Sequence, residues 1–447
     1  MDALDRAGPA PRAPLSWLGI ARLGLVQMAL GSIVVLTTST LNRVMVVELA
    51  LPAMLPGALV GLHYAMGMLR PRWGYGSDGM RRTPWIVGGM AALALGGLTA
   101  AGAVSLMGAT LWLGVAVATV AFVLIGAGVG ASGTALLALL ATRVAAERRP
   151  AAATIVWLMM ILGLAVTAGT AGHFLDPYTP LRLMEVTSVV AAVAIALTVF
   201  AVWGVEGREK AEAEAAPGPF MDVLRGIWTD APARRFTVFV FVSMLAFSAQ
   251  DLILEPFAGL VFGMTVGEST QLAAKQQMGI FFGMVFVAVM GSAVGGRVLG
   301  SLKLWTVVGC LGSAAALFGL VLGAFAPGWP LAVNVFGLGF MNGAFAVAAI
   351  GSMMALAGAD GGGHEGARMG VWGAAQAVAF GLGGFLGAAS VDATRAMMGD
   401  PAVSYALVFG VEGALFVLSA ILALNVGAPR LRTGHQAAPA AGLVPGE

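Results

Sequence analysis

Long apolar runs alternate with short polar segments along most of the chain, and the runs have the length of membrane-crossing helices. A helix needs about 20 apolar residues to cross a hydrocarbon core of ~30 Å. Twelve segments meet this requirement, with predicted bounds 22–45, 52–69, 85–106, 110–141, 151–172, 184–204, 236–262, 277–296, 305–326, 330–356, 370–391 and 403–427. The pattern therefore predicts an all-α, polytopic membrane protein.

One long polar segment interrupts this rhythm and divides the spans six and six. It reads "VEGREKAEAEAAPGPFMDVLRGIWTDAPARR" and is charged at its start, then broken by two prolines. The predicted organisation is a tail at 1–21, a six-helix bundle at 22–204, a linker at 205–235, a second six-helix bundle at 236–427 and a tail at 428–447.

Composition fits a chain whose solvent is the bilayer. Hydrophobic residues make up 59% of the 447 residues and charged residues only 10%, so a soluble domain could not cover its surface. The net charge of +2 is too small to indicate nucleic-acid binding. One cysteine, Cys310, and four histidines argue against a disulfide framework and against a multi-histidine metal site.

The placement of lysine and arginine orients the spans. Twenty of the 24 basic residues fall in segments on one side if both termini share that side, and cytoplasmic segments carry such an excess. The other side holds four: Arg43, Arg182, Lys275 and Arg395. The bias predicts cytoplasmic termini and independently supports an even number of spans.

The loop after the second span carries the segment "GYGSDGMRR". Its Gly74, Asp78, Arg81 and Arg82 resemble the loop motif of the major facilitator superfamily, whose members have two related six-helix halves. The aspartate of such a motif can cap a helix and pair with an arginine, which predicts a latch on the cytoplasmic side. The alternative is an ordinary positively charged loop.

Ionisable residues inside spans are costly and mark candidate sites. Arg43 lies near the end of the first span, and Asp251 and Glu255 lie at the matching depth in the seventh, its counterpart. We expect Arg43 to pair with Asp251 or Glu255 and to hold the outer side closed. Separate interfacial charges are the alternative, and a proton-coupling role fits Asp251 less well because its predicted position is near the surface.

Two further ionisable residues lie inside spans. Glu412, some seven residues into the last span, is predicted to be protonated, paired or turned toward a partner, unless it lies harmlessly near the rim. His63 lies seven residues before Arg70, about 10 Å inside the cytoplasmic boundary. A buried imidazole can ligate the magnesium of a chlorin, donate to a carbonyl or carry protons, and a structural hydrogen bond is the plainer alternative.

The abundance of glycine suggests how the helices pack, and the scarcity of central polar side chains suggests what the bundle binds. Runs such as "GAGVGASG" (126–133) and "GLGGFLG" (381–387) permit close contact between helices. The central spans offer few polar side chains, which favours an apolar ligand or none; the main candidates are Gln27, Thr37, Thr38, Asn334 and Asn342.

Two stretches carry a narrower resemblance. "TLNRVMVVELALPAMLPGALVGLHY" (40–64) and "QDLILEPFAGLVFGMTVGESTQL" (250–272) resemble the PucC family of photosynthetic bacteria, and the likeness extends over nearly all spans. Within that family the chain is most similar to a branch labelled as a bacteriochlorophyll synthase chain. The resemblance implies a photosynthetic inner (intracytoplasmic) membrane and a role in delivering bacteriochlorophyll to light-harvesting polypeptides, stabilising them, or assisting a synthase.

The resemblance does not imply that the chain makes pigment. A prenyltransferase needs aspartate-rich motifs to hold magnesium and diphosphate, and the chain has no Asp-x-x-x-Asp cluster, so we expect no enzyme. With bacteriochlorophyll as bound cargo, His63 becomes a candidate ligand on our own inference. The competing function is a secondary transporter that moves a small, largely apolar or porphyrin-like solute.

Overall fold

The computed structural model describes residues 14–69, 81–145, 148–206, 229, 231–291, 301–357 and 365–425. The linker's central part, residues 1–13 and the C-terminal tail lie outside these ranges. The described residues form twelve long helices and no strand. In chain order they are α1 (Trp17–Glu48), α2 (Met54–Met66), α3 (Arg82–Ala109), α4 (Leu111–Arg143), α5 (Arg149–Leu175), α6 (Pro180–Val202), α7 (Ala231–Phe262), α8 (Val266–Met290), α9 (Leu302–Gly323), α10 (Leu331–Ala357), α11 (Glu365–Met398) and α12 (Pro401–Asn425).

Eleven of these helices are long and apolar enough to cross a membrane. The twelfth, α2, continues through a 3₁₀ turn to Leu69, where the described residues stop. The all-α, polytopic prediction is therefore confirmed. Consecutive spans run in opposite directions, so the α1–α2, α5–α6, α7–α8 and α11–α12 connections share one end of the bundle, named here the α1–α2 end.

Helix α8 begins eleven residues earlier than predicted. The sequence "TVGE" was interpreted as part of a polar loop, yet Thr265 and Glu268 form a capping box that starts the helix at Val266. Lys275, predicted to lie outside the membrane, consequently sits within α8, on an exposed face. A strong local cap thus overrides the weak hydropathy of the first three turns.

Helix α1 departs from regular geometry near its end. Two π-helical turns, Leu36–Thr40 and Val44–Glu48, interrupt the α-helix. Such turns shift the following side chains around the helix axis and are frequent at functional sites. Here they lie where α1 packs against α7 and α8 of the second half.

Buried apolar side chains form two large clusters. One lies almost wholly in α1–α6 and the other in α7–α12. The two sets of helices meet where α2 packs against α11, where α5 packs against α8 and where α1 packs against α7. These three contacts frame the candidate site.

Candidate functional site

The irregular end of α1 presents a row of polar side chains to the second half. The hydroxyl of Ser39 donates to the carboxylate of Glu255, and the amide of Asn42 donates to the carbonyl of Leu252 at 2.5 Å. The hydroxyls of Thr40 and Thr270 are 3.3 Å apart. Buried polar groups are normally hydrogen-bonded, and here the partners come from the opposite half. The row therefore joins the halves through polar contacts.

Arg43 has a different partner from the one predicted. Its guanidinium forms an ion pair with Glu48, on its own helix, and donates to the carbonyl of Met264 at 2.8 Å. Asp251 and Glu255 instead accept from Gln276 and Ser39. The direct pair was expected from the matching depth of these residues in their helices. The π turns rotate the end of α1 and change which side chains meet, and the sequence does not reveal them. Arg43 still reaches the second half, through a backbone carbonyl.

Two aspartates connect the halves at the α1–α2 end, and the sequence analysis missed both. Asp176, just after α5, accepts from the hydroxyl of Thr265 at 2.6 Å and from the Gly267 N–H at 2.9 Å. Asp392, near the end of α11, accepts from the N–H groups of Ala53 at 2.9 Å and Met54 at 2.7 Å. Each carboxylate satisfies free N–H groups at the start of a helix in the opposite half.

These four contacts are named here the double cap. Asp176 of the first half caps α8 of the second half, and Asp392 of the second half caps α2 of the first half. The two caps therefore occupy equivalent positions in the two halves. Their sequence signal was present: each is an acid near the end of the fifth helix of its half. The double cap therefore joins the two halves at the α1–α2 end.

A polar layer lies deeper in the bundle. Asp251 is eleven residues before the end of α7, Gln276 ten residues after the start of α8, and Glu412 eleven residues after the start of α12. At 1.5 Å per residue all three lie ~16 Å from the α1–α2 end, about half of a 30 Å bilayer core. This corrects two predictions: Asp251 is not near the surface, and Glu412 is deeper than seven residues.

Asp251 faces a small cleft between the halves. The cleft has a cavity volume of about 40 Å³ and is lined by Thr38, Val60, Tyr64, Ser248, Asp251, Leu252, Phe380 and Gly384. Tyr64 and Phe380 meet across it, with ring centroids 5.5 Å apart. The expectation of an almost wholly apolar centre is thus wrong at this point, because a carboxylate, hydroxyls and aromatic rings share one cleft.

His63 lies inside the first half. Its side chain is 6% exposed, and its ring is edge-on to Tyr64 at 4.9 Å between centroids. Gly126 of α4 approaches so closely that a Cβ there would be 2.6 Å from the carbonyl oxygen of His63. A chlorin needs an open face beside its axial ligand. In this packing the His63 side chain is buried, so a ligand role would require the surrounding helices to move, and its assignment as a pigment ligand stays a prediction.

The loop motif is described only at its basic end. Gly74 and Asp78 lie outside the described residues. Arg82 is 7% exposed, and its guanidinium donates to the Ala138 carbonyl at 2.6 Å and to the Thr142 hydroxyl at 2.7 Å, both on α4. Arg82 therefore holds α3 against α4 within one half.

Glu206, which follows α6, completes this end of the first half. It accepts from the N–H groups of Arg82 and Thr83 and so caps α3. Partial burial raises the pKa of the Glu206 carboxyl, but hydrogen bonds from Thr83 and Arg82 and the nearby charge of Arg81 outweigh it, and the net pKa lies below its usual value. The carboxylate is therefore the form that this cap favours.

Comparison with known proteins assigns the family. The model of the PUCC protein family matches residues 40–431. The chain belongs to the PucC family. The chain named "Bacteriochlorophyll synthase 44.5 kDa chain" from Rhodobacter capsulatus is 54% identical over 93% of this chain and 97% of that relative. The protein named PucC from the same organism is 31% identical over 94% and 93%.

Solved structures similar to this PucC-family chain are transporters of the major facilitator type. A peptide transporter POT, crystallised with sulfate, superposes with a TM-score of 0.69 at 15% identity, over 93% of this chain and 96% of that one. A bacterial homologue of human peptide transporters gives 0.64 at 16% identity, over 91% and 97%. At such identities the likeness establishes the fold, confirms the predicted two-half architecture, and says nothing about substrate.

Proposed function

We propose that this protein is a membrane assembly factor that handles bacteriochlorophyll. It would deliver pigment to light-harvesting polypeptides, or stabilise those polypeptides or an associated synthase, in the bacterial photosynthetic inner membrane with both termini cytoplasmic. The observation that supports this most strongly is the 54% identity, over almost the full length of both chains, to a relative whose name refers to bacteriochlorophyll.

The closed interior supports handling of pigment from the side rather than through the centre. The cleft, at about 40 Å³, has room for a few water molecules and is far too small for bacteriochlorophyll. His63, the predicted ligand, is only 6% exposed in this packing. A pigment or an antenna helix would therefore meet this conformation at its lipid-facing helices, and we assign no pigment ligand.

The synthase label is better explained by association than by catalysis. Attachment of the chlorin tail releases diphosphate, whose charge is normally held by magnesium on clustered aspartates. Asp251 and Glu255 lie one turn apart on α7, but they bond to the Gln276 amide and the Ser39 hydroxyl, and Asp392 bonds to N–H groups of α2. We therefore propose no enzymatic reaction for this chain.

A second candidate function is secondary transport by alternating access. The observation that favours it is the polar cleft between the halves, which contains Asp251, and the double cap joins the halves at one end. Separation of the halves at that end would connect the cleft with solvent. A small or porphyrin-like solute would be the substrate.

Deletion of the gene in a photosynthetic bacterial host should separate these functions. An assembly role predicts a several-fold loss of light-harvesting complexes while pigment synthesis continues, with restoration by the wild-type gene. Absorption spectra of membranes and pigment chromatography provide both readouts. Accumulation of a chlorin without its tail would instead indicate a synthase, and normal complexes with altered solute uptake would indicate a transporter.

A further inference from the structure

The second half contains a buried carboxyl group without a partner. Glu412 is 2% exposed, and within the described part of the chain neither of its side-chain oxygens has a hydrogen-bond partner. An ionised carboxylate in that setting costs several kcal/mol, so such a group is normally paired or carries a proton. A proton converts one oxygen into a donor and removes the charge.

A second acid lies within electrostatic reach. Helix α7 packs against α12 and carries Asp251, whose negative charge disfavours a second charge at Glu412. Both residues lie eleven residues from the α1–α2 end of their helices and so at the same depth. Two like charges in a medium of low dielectric constant cannot both be ionised cheaply.

Among the described residues, the other groups around Glu412 do not supply a counter-charge. Helix α12 packs against α7, α9 and α11. Helix α9 contributes the neutral thiol of Cys310, which is fully buried, and its Lys303 is committed to the Leu424 carbonyl at the opposite end. On α11, the charges of Asp392 and Arg395 act on Tyr405, two turns nearer the α1–α2 end than Glu412.

Unpartnered amides lie in the same layer. Gln250 is fully buried, and both polar atoms of its side chain have no partner among the described residues. Asn342, eleven residues into α10, accepts from the Ser313 hydroxyl at 2.7 Å while its own amide nitrogen has no partner there. A protonated carboxyl can both donate to and accept from such amides.

We propose that Glu412 and Asp251 form a proton-binding site in the second half of the chain, with access through the cleft between the halves. Asp251 lines that cleft, and Glu412 is buried at the same depth on α12, which packs against α7. The site binds a proton on one carboxylate oxygen and releases it as the free ion when solvent reaches the cleft. Opening of the halves is thereby coupled to proton binding, whichever cargo the protein handles.

Infrared difference spectroscopy of the full-length protein in lipid nanodiscs tests this site, because a protonated carboxyl has a C=O band that a carboxylate lacks. The wild type should show such a band at neutral pH and lose it in one step as the buffer becomes alkaline. Glu412→Gln should remove this band. Asp251→Asn should keep the band but lose it at lower pH than the wild type, because the neighbouring negative charge is gone.

A matched control is Glu185→Gln, an acid-to-amide change on an exposed face of α6, which should leave the spectrum unchanged. An unaltered band in Glu412→Gln, or no protonated carboxyl in the wild type, would overturn the proposal. If Glu412→Gln does not fold, Glu412→Asp decides: a displaced band supports the site, and an unmoved band refutes it. None of these results depends on pigment.

Discussion

Removal of the double cap should open the α1–α2 end of the bundle. In the variant Asp176→Ala/Asp392→Ala, the helix starts at Gly267 and at Ala53–Met54 lose acceptors that come from the opposite half. Loss of one helix cap costs about 1 kcal/mol, so two cost about 2 kcal/mol. Because both contacts join the halves, the expected result is a roughly 30-fold shift from closed toward open.

Distance measurement between spin labels provides the readout. Labels at Leu181→Cys on α6 and Val333→Cys on α10 lie on opposite halves at the α1–α2 end, on side chains that are 69% and 72% exposed. The buried Cys310 is replaced by alanine in every sample. The double variant should add a longer distance that is rare in the parent.

Asp400→Ala is the matched control for the double cap. Asp400 accepts from the Ala402 N–H at 2.8 Å and so caps α12 within one half. Its removal should lower stability by a similar amount without changing the label distance. An unchanged distance in the double variant, or an equal change in Asp400→Ala, would show that the double cap does not hold the halves together.

The second large effect concerns the contact between α8 and α10. Gly279 and Gly283 of α8 each face a carbonyl of α10, and Gly339 and Gly343 of α10 each face a carbonyl of α8. A Cβ at any of the four would collide with backbone, which cannot move aside as a side chain can. Reciprocal small residues spaced by four let two membrane helices pack at the backbone.

Gly283→Ala should therefore destabilise the protein by about 1–3 kcal/mol, the usual cost of overpacking. Gly337→Ala, on α10, is its matched control because its added Cβ would have no neighbour within 4 Å. The control should be neutral or gain up to about 1 kcal/mol of helix propensity. The free energy of unfolding in mixed micelles measures both, and equal values for the two variants would refute the close contact.

Hydropathy and charge placement predicted the fold because the bilayer imposes long apolar helices with few alternatives. The helix starts were predicted less well where a cap decides them, as at Thr265. The glycine run at 126–133 was correctly expected to allow close contact, since Gly128 meets the backbone of Gly89 and Leu93. The α8–α10 glycines carried the same signal, small residues spaced by four inside the predicted spans 277–296 and 330–356, but were not singled out.

The candidate site was predicted only in part. The junction of the halves does contain Arg43, Asp251 and Glu255. Their partners, however, depend on the π turns of α1, which no sequence pattern predicts. Asp176 and Asp392 act by meeting backbone N–H groups, and such partners leave no complementary charge in the sequence. Burial of the His63 side chain likewise required the packing to be known.

The proposed handling of bacteriochlorophyll is tested most directly by the absorption spectrum of the purified protein. Tagged full-length protein is isolated in mild detergent from photosynthetically grown cells, beside an unrelated membrane protein with the same tag. The account predicts bacteriochlorophyll absorption, or co-purified light-harvesting or synthase subunits, in this sample alone, and retention of that pigment in His63→Ala. A colourless preparation without such subunits would contradict it.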